Sequence, residues 1–231
     1  DASNVQNPEV VPFPTGGLSA NNTLRNGDTV SLTNGVMHYA FGAYRIYPID
    51  APTFTASNPR EAAPVLSAQG NLNVSSFNVL NYFNTLNQRG ADTAEELARQ
   101  EAKIVAALSS LDADIIGLME IENDGYDVGS SINDLVNALN QADPGQDWRF
   151  VDPGVNQIGT DQIAVGLLYK GGVVAPLGAA GILDSGNSAL DANGDPLFID
   201  TSNRPTLAQE FSLLENGETV VVAVNHLKSK G

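Results

Sequence analysis

Two polar residues that could do chemistry directly follow apolar segments of this sequence. Glu120 comes after the apolar residues 115–119, and His226 comes shortly after residues 220–224. A carboxylate at the mouth of a buried strand is costly unless it is exposed or has a function. Such a carboxylate can serve as a hard oxygen ligand for Mg²⁺, Mn²⁺ or Ca²⁺, and such a histidine can serve as a general acid or base. The alternative is that both are ordinary residues at points where strands emerge.

Two further polar residues lie inside or at the start of predicted strands. Asn78 lies within the alternating segment 72–79, although amide side chains are uncommon in strands. Asp161 opens the apolar segment 163–169. Both are candidates for a site, and for Asn78 the alternative is a solvated position on the outer face of a sheet.

Basic residues near the same segment ends could bind a phosphate. Arg204 precedes the strand predicted from Thr206, and its planar guanidinium can pair with a phosphate. Lys228 and Lys230 follow His226 and form a short basic patch in an acidic protein. The alternatives are a loop arginine without a function and a solvated tail.

The elements that would position these residues alternate between strand and helix from Leu72 onward. Apolar or alternating segments predict strands at 72–79, 114–120, 148–151, 163–169, 206–213 and 219–224. Helices are predicted after a capping box at Asp92-Thr93-Ala94-Glu95 and over residues 131–140. This order predicts mixed sheets with helices outside. If the sheets pack face to face, the polar strand ends meet on one rim, which suits metal-assisted attack on a phosphodiester.

The first 70 residues have a different composition. Residues 1–26 are predicted to be extended loop, residues 27–49 to be two or three strands with a hairpin turn at Asn34-Gly35, and residues 48–70, with four prolines, to be a linker. The predicted domains are therefore a partial β-domain with its linker at 1–66 and a larger α/β domain at 71–231.

The overall composition limits the classes of function. The chain has 231 residues, with 27 acidic and 11 basic side chains and a net charge of -16, so a uniformly basic nucleic-acid surface is absent. If DNA is the substrate, bound divalent metal is the obvious means of reversing the local repulsion. The absence of cysteine excludes disulfides, thiol nucleophiles and cysteine-ligated zinc. No apolar run approaches the roughly 20 residues of a membrane span.

Residues 71–231 resemble the endonuclease/exonuclease/phosphatase superfamily, which includes deoxyribonuclease I-like enzymes, and most resemble its large secreted bacterial nucleases. The resemblance rests on these segments: Ser76-Phe77-Asn78-Val79-Leu80-Asn81-Tyr82-Phe83, Arg99 to Lys103, Gly117-Leu118-Met119-Glu120-Ile121-Glu122-Asn123, Gly159-Thr160-Asp161 and Asn225-His226-Leu227-Lys228-Ser229-Lys230-Gly231. Residues 27–60 resemble the preceding segment of those nucleases, which closes a small oligonucleotide-binding-type β-domain.

The resemblance implies a role for each candidate residue. It implies that Glu120 binds the metal, that Asn78 helps to position metal and phosphate, and that His226 is the first histidine of a catalytic pair. It further implies that Asp161 is the acidic partner of that histidine and that Arg204 contacts the substrate; Lys228 is a substrate-binding candidate from the basic patch. The fold class it implies is α/β (α+β), a four-layer β-sandwich with flanking helices of which this chain is the first half.

The family pattern also includes a second half that follows the matched segments. We therefore expect a secreted, extracellular, metal-dependent deoxyribonuclease that acts on DNA together with a C-terminal half, supplied as a second chain or a further segment, and that has no membrane partner. Two alternatives are a phosphatase or nucleotidase of the same superfamily, since fold does not decide function, and a non-catalytic nucleic-acid-binding module.

Overall fold

The computed structural model describes residues 13–17, 19, 21–62 and 70–228. The chain divides into two compact units, residues 1–67 and 68–231. The predicted loop at 1–12, most of the predicted linker beyond residue 62 and the predicted basic residue Lys230 lie outside the described residues. The assignment of residues 1–66 and 71–231 to particular domain types stays a prediction.

The first unit contains two small antiparallel sheets. Strand β1 (Thr29–Ser31) pairs with β4 (Thr53–Thr55), and β2 (Gly35–Ala40) pairs with β3 (Ala43–Pro48). The prediction of a hairpin turn at Asn34-Gly35 is therefore wrong, because β1 and β2 do not pair with each other. The hairpin turn lies at Phe41-Gly42, where both residues have the positive φ that a tight hairpin turn requires (51° and 74°).

Strand β4 lies inside the segment predicted to be a linker, so that prediction is wrong for residues 53–55. The three residues lie just after Pro52 and pair with β1 over three residues only. Proline excludes a central strand but tolerates a short edge strand, which explains why its density was a misleading signal here.

The second unit contains the elements that carry the candidate residues. Its strands are β5 (Val74–Tyr82), β6 (Ile115–Glu122), β7 (Trp148–Phe150), β8 (Ile163–Lys170), β9 (Val174–Leu183), β10 (Arg204–Leu213) and β11 (Thr219–His226), and its helices are α1 (Ala94–Ser110) and α2 (Ser131–Ala142). Sequence patterns predicted all of these except β9.

Two sheets pack against each other in this unit. One has the order β5-β6-β8-β7, with β5 parallel to β6 and the other pairs antiparallel, and the second has the order β11-β10-β9. Successive strand residues point to opposite faces. Gly117 of β6 faces Val224 of the second sheet, whereas its neighbour Leu118 shares a face with Gly166 and, next to it, Ile132 of α2. The described residues thus form layers of helix, sheet and sheet, and the fourth predicted layer stays a prediction.

Capping residues begin both helices. Thr93 caps α1 and forms a capping box with Glu96, one residue later than the predicted pairing with Glu95. Ser130 caps α2. The apolar faces of the helices, with Ile104 and Leu108 on α1 and Leu135 and Leu139 on α2, are buried in the core. Among the described residues, no helix is long and apolar enough to cross a membrane.

Candidate active site

Three of the candidate residues lie together where the two sheets meet. The Nδ2 atom of Asn78 donates a hydrogen bond to Oε1 of Glu120 at 2.8 Å, and Nε2 of His226 lies 3.7 Å from the same oxygen. The side chains of Glu120 and His226 are 19% and 17% exposed, so both are largely withdrawn from water but can still be reached. The structure therefore brings an amide, a carboxylate and an imidazole from three different strands to one point.

Irregularities in the first sheet place the amide and the carboxylate. Asn78 of β5 pairs with Met119 of β6, but the next aligned pair is Tyr82 with Ile121, so three residues of β5 oppose Glu120 alone. Against β8, Glu120 is itself the extra residue of a bulge and has a positive φ of 67°. Bulges re-aim side chains, and a non-glycine residue with positive φ carries backbone strain. Strain at Glu120 is the kind that a functional position retains.

A second group adjoins the first through the pairing of β10 with β11. Arg204, at the start of β10, is the register partner of His226, at the end of β11. Nη2 of Arg204 lies 3.0 Å from Oδ2 of Asp161, and Nη1 of Arg89 lies 2.9 Å from Oδ1 of the same carboxylate. Asp161 thus pairs with two guanidinium groups, of which that of Arg204 lies beside the imidazole.

The predicted pairing of Asp161 with His226 is not what this geometry shows. Each oxygen of Asp161 contacts an arginine, and Nδ1 of His226 is buried without a hydrogen-bond partner among the described residues. The physical reason is that two guanidinium groups already occupy both oxygens of the carboxylate. The buried side chain of Asn123 donates to the carbonyl oxygens of Ile158 and Asp161 and holds the backbone of this loop. The catalytic role of Asp161 stays a prediction.

A polar cavity of about 720 Å³ opens beside Asp161 and Arg204. Its wall is formed by the loop of Gly159 and Thr160, by residues 200–205 and by Lys228. The backbone N–H of Lys228 donates to Oδ1 of Asn203 at 2.9 Å, which holds the segment after β11 against this wall. Two of the three basic residues predicted from sequence, Arg204 and Lys228, therefore line one cavity, and Lys230 lies outside the described residues.

The surroundings of His226 favour a neutral imidazole. Burial lowers the pKa of His226, the neighbouring Arg204 guanidinium lowers it further, and the carboxylates of Glu120 and Asp161 act in the opposite direction. A neutral imidazole has one ring nitrogen that donates and one that accepts. Nδ1 is buried, whereas Nε2 lies toward Glu120, so Nε2 is the nitrogen that could form a hydrogen bond with a substrate.

Buried polar atoms without partners concentrate around this group. Within the described residues, three buried side-chain atoms lack a hydrogen-bond partner: Nδ1 of His226, Nε of Arg204 and Oδ1 of Asn81. The first two belong to the candidate residues, and Asn81 lies three positions after Asn78 in the same irregular stretch of β5. A buried polar atom without a hydrogen-bond partner lowers the stability of the fold and therefore needs an explanation. One explanation is that these atoms belong to a binding site and that a ligand supplies the partner.

The donor set is compatible with a hard divalent cation held with few protein ligands. Among the described residues, no group of three or more His, Cys, Asp or Glu side chains could hold a metal ion together. Mg²⁺ usually binds through one or two carboxylates, several waters and substrate phosphates rather than in a complete protein cage. The Glu120 carboxylate fits that mode. Asn78 presents its nitrogen to Glu120 and its oxygen to the N–H of Leu80, so its predicted role as a metal ligand is not what this geometry shows, and it orients the carboxylate instead. This donor set does not fit a closed structural zinc site.

Three residues of this region were not predicted from sequence. Arg89 is an exposed loop residue, Asn123 is the last residue of the motif around Glu120, and Gln100 lies on α1, where its Nε2 reaches the backbone of β5. Arg99 to Lys103 carried part of the family resemblance, which was the one available signal for Gln100. All three residues belong to the site through contacts with residues that are distant in sequence, which local sequence patterns do not indicate.

Comparisons with known proteins give a limited result. No protein-family model and no curated protein matches the sequence significantly. Among solved structures, the chain is similar to an endonuclease/exonuclease/phosphatase family protein from Bacteroides thetaiotaomicron (15% identity, TM-score 0.43, 69% of this chain and 51% of that chain). It is also similar to the human Nocturnin catalytic domain with bound sulfate (14% identity, TM-score 0.41, 69% of this chain and 50% of that chain). A third similar structure is an endonuclease/exonuclease/phosphatase from Beutenbergia cavernae (19% identity, TM-score 0.39, 69% of this chain and 39% of that chain). The chain spans about half of the first two structures, and likeness at this level assigns no activity.

Proposed function

We propose that this chain is part of a divalent-metal-dependent phosphodiesterase of the endonuclease/exonuclease/phosphatase superfamily, and that its substrate is DNA outside the cell. The observation that carries the proposal is the cluster of Asn78, Glu120 and His226, built from two bulged strands and a third strand of the opposite sheet. The sequence resemblance in the segments around these residues supports the same assignment.

Glu120 is the residue that would hold the metal, and Asn78, whose Nδ2 donates to Oε1 of Glu120, would orient that carboxylate. A cation bound there would stabilise the negative charge that develops on the phosphoryl oxygens during attack. The strained backbone at Glu120 directs its carboxylate toward His226 and Asn78, so the ligand is oriented before any substrate arrives. Orientation in advance avoids reorganisation at the moment of reaction.

His226 and Arg204 would act on the phosphate itself. Nε2 of a neutral His226 can donate a hydrogen bond to a phosphoryl or leaving oxygen. Arg204 has a guanidinium whose buried Nε is unpaired among the described residues, and a phosphate oxygen is a natural acceptor for it. Lys228, on the wall of the adjacent cavity, would contact the strand beyond the scissile phosphate.

The charge distribution bears on the choice of DNA as substrate. Residues 68–231 carry 8 basic and 22 acidic side chains, a net charge of -14, so long-range attraction to DNA is absent in this unit. Binding of DNA would depend on the basic side chains around the cavity and on the metal. Its affinity would fall as the salt concentration rises, and the slope would be small because few phosphates are contacted.

The test is DNA hydrolysis by the protein that carries this chain, together with its C-terminal partner segment. Cleavage of plasmid and linear DNA is followed with Mg²⁺, Mn²⁺ or Ca²⁺ and with EDTA. We expect Glu120→Gln to lower the rate by roughly 100-fold or more, because metal supplies several kcal/mol of transition-state stabilisation. Glu210→Gln is the matched control, since it makes the same charge change at an exposed position of β10.

Two results would contradict the proposal. A wild-type rate in Glu120→Gln at ordinary metal concentrations would reject the ligand role. Cleavage of small phosphate esters without cleavage of DNA would favour the phosphatase alternative, and DNA binding without hydrolysis of any ester would favour the binding module.

A further inference from the structure

The irregular stretch of β5 is held by one side chain from α1. Residues 79–81 have no paired partner on β6, and Leu80 and Asn81 both have positive φ, at 55° and 51°. The amide nitrogen of Gln100 lies 3.2 Å from the carbonyl oxygen of Val79, 2.8 Å from that of Leu80 and 3.4 Å from that of Asn81. A single donor group thus satisfies consecutive carbonyls that the sheet leaves unpaired.

The conformation of this stretch determines the orientation of Asn78. The backbone N–H of Leu80 donates to Oδ1 of Asn78 at 2.8 Å, while Nδ2 of Asn78 donates to Glu120 at 2.8 Å. The two contacts together specify which end of the amide faces Glu120. If Leu80 left its positive-φ conformation, its N–H would turn away and the amide would lose the contact that orients it.

We propose that Gln100 is a positioning residue, whose side-chain amide holds residues 79–81 in the conformation that orients Asn78 toward Glu120. The inference rests on the proposed function for its effect on catalysis, but its structural part concerns this chain's own hydrogen bonds. Gln100 has no role toward substrate or metal and acts only through Asn78.

A second glutamine in the same unit provides a matched control. Gln209 of β10 is buried, and its Nε2 donates to the carbonyl oxygens of Leu177 and Glu210, both at 2.8 Å, where the register of β10 with β9 shifts. The chemistry is the same, an amide satisfying carbonyls at a strand irregularity, but it lies on the β9 side of the second sheet. Substitution of Gln209 therefore reports the cost of losing such a contact without any effect routed through Asn78.

The experiment compares Gln100→Met with Gln209→Met, since methionine keeps the side-chain length and removes the donor. NMR measures the Asn78 side-chain amide signals and the hydrogen exchange of the Leu80 amide. We expect Gln100→Met to shift the Asn78 signals and to accelerate Leu80 exchange roughly tenfold, because exchange follows the local opening equilibrium and the loss of one intramolecular hydrogen bond shifts that equilibrium by about this factor. Gln209→Met should change neither. Gln100→Lys, whose ammonium can donate to all three carbonyls, should restore both.

Kinetics and metal titration then separate the two levels of the proposal. In Gln100→Met we expect kcat for DNA to fall roughly 10–100-fold with KM little changed, and Mn²⁺ affinity measured by calorimetry to fall in the same range. If no variant and no wild-type preparation hydrolyses DNA, but Asn78 and Leu80 respond as expected, the proposed function fails and the positioning role stands.

Three outcomes overturn the positioning role. The first is an unchanged Leu80 exchange rate and unchanged Asn78 signals in Gln100→Met. The second is an equal response of those signals to Gln209→Met. The third is failure of both Gln100→Met and Gln100→Ala to fold while Gln209→Met folds, which would make Gln100 a purely structural residue.

Discussion

Gly117 is a point of close approach between the two sheets near the candidate site. A Cβ atom at this position would lie 2.8 Å from Cγ2 of Val224 and 3.4 Å from its Cγ1. Gly117 precedes Glu120 by three residues, and Val224 precedes His226 by two. Gly117→Ala therefore tests whether the spacing of the sheets controls the 3.7 Å separation between Glu120 and His226.

The expected magnitude follows from the size of the overlap. Carbon atoms in contact lie at about 3.5–4.0 Å, so β11 would have to move by roughly 0.7–1.2 Å to admit the new methyl group. Overpacking of this kind costs about 1–3 kcal/mol. Val224→Ala removes two methyl groups and should alone cost about 1.6 kcal/mol at ~0.8 kcal/mol per buried carbon. In the double variant the two changes compensate, and a coupling energy of about 1–2 kcal/mol is expected.

The assay is urea unfolding of the four members of this cycle, with DNA hydrolysis measured on the same preparations. Gly166→Ala is the control, because its new methyl group would meet the flexible end of Ile132 on the helix face of the same sheet. We expect Gly117→Ala to lose both stability and activity and Val224→Ala to restore part of each. Strictly additive free energies of unfolding, or an equal loss of activity in Gly166→Ala, would refute the reasoning.

Two further predictions concern individual side chains. His226→Ala should lower the DNA cleavage rate roughly 10²–10⁴-fold, the range of general acid–base contributions, with metal affinity near that of the wild type by calorimetric titration; loss of metal binding would show that the role of His226 is assigned wrongly. Burial raises the pKa of Asp124, which accepts hydrogen bonds from the backbone and hydroxyl of Ser131. Because the folded pKa lies above the unfolded one, the folded state binds more protons between the two values and stability falls as pH rises through this window. Asp124→Asn should keep a hydrogen-bond acceptor and remove this loss of stability with rising pH. The melting temperature of the variant, relative to that of the wild type, should therefore increase as pH rises above the ordinary aspartate pKa. A difference in melting temperature that is constant across pH would contradict the prediction.

Sequence patterns predicted those strands and helices whose apolar residues follow directly from which of their faces are buried. Strand β8 is buried along its whole length and reads as a continuous apolar run, and α1 and α2 show one apolar face each with a capping residue before it. In such elements the local pattern and the tertiary environment agree, so periodicity is a sufficient signal.

Strand β9 was missed because its composition does not resemble that of a strand. It contains Pro176, Gly178 and Gly181, all of which are unfavourable in a central strand, and several of its side chains are exposed. Its position is an edge of the second sheet, next to β10, where a proline and a bulge are tolerated. The pairing with β10, not the local propensity of β9, makes it a strand.

The same distinction applies to the candidate site. The residue types at 78, 120 and 226 could be identified because polar side chains stand out against apolar strands, and a resemblance to known sequences drew attention to the same three positions. The backbone conformation that brings them together could not be identified from the sequence. Nothing in the residues around Glu120 indicates its positive φ, and nothing around residues 79–81 indicates that these three residues of β5 lie opposite a single residue of β6. Contacts that are long-range in sequence accompany this geometry: Gln100 donates to the carbonyls of residues 79–81, and Asn123 donates to two carbonyls of the loop that ends at Asp161. Strained backbone that depends on distant partners is invisible to local pattern, and it is also what gives the site its geometry. Gln100 and Asn123 both lie inside segments of the family resemblance, yet their part in this geometry depends on contacts with residues that are distant in sequence.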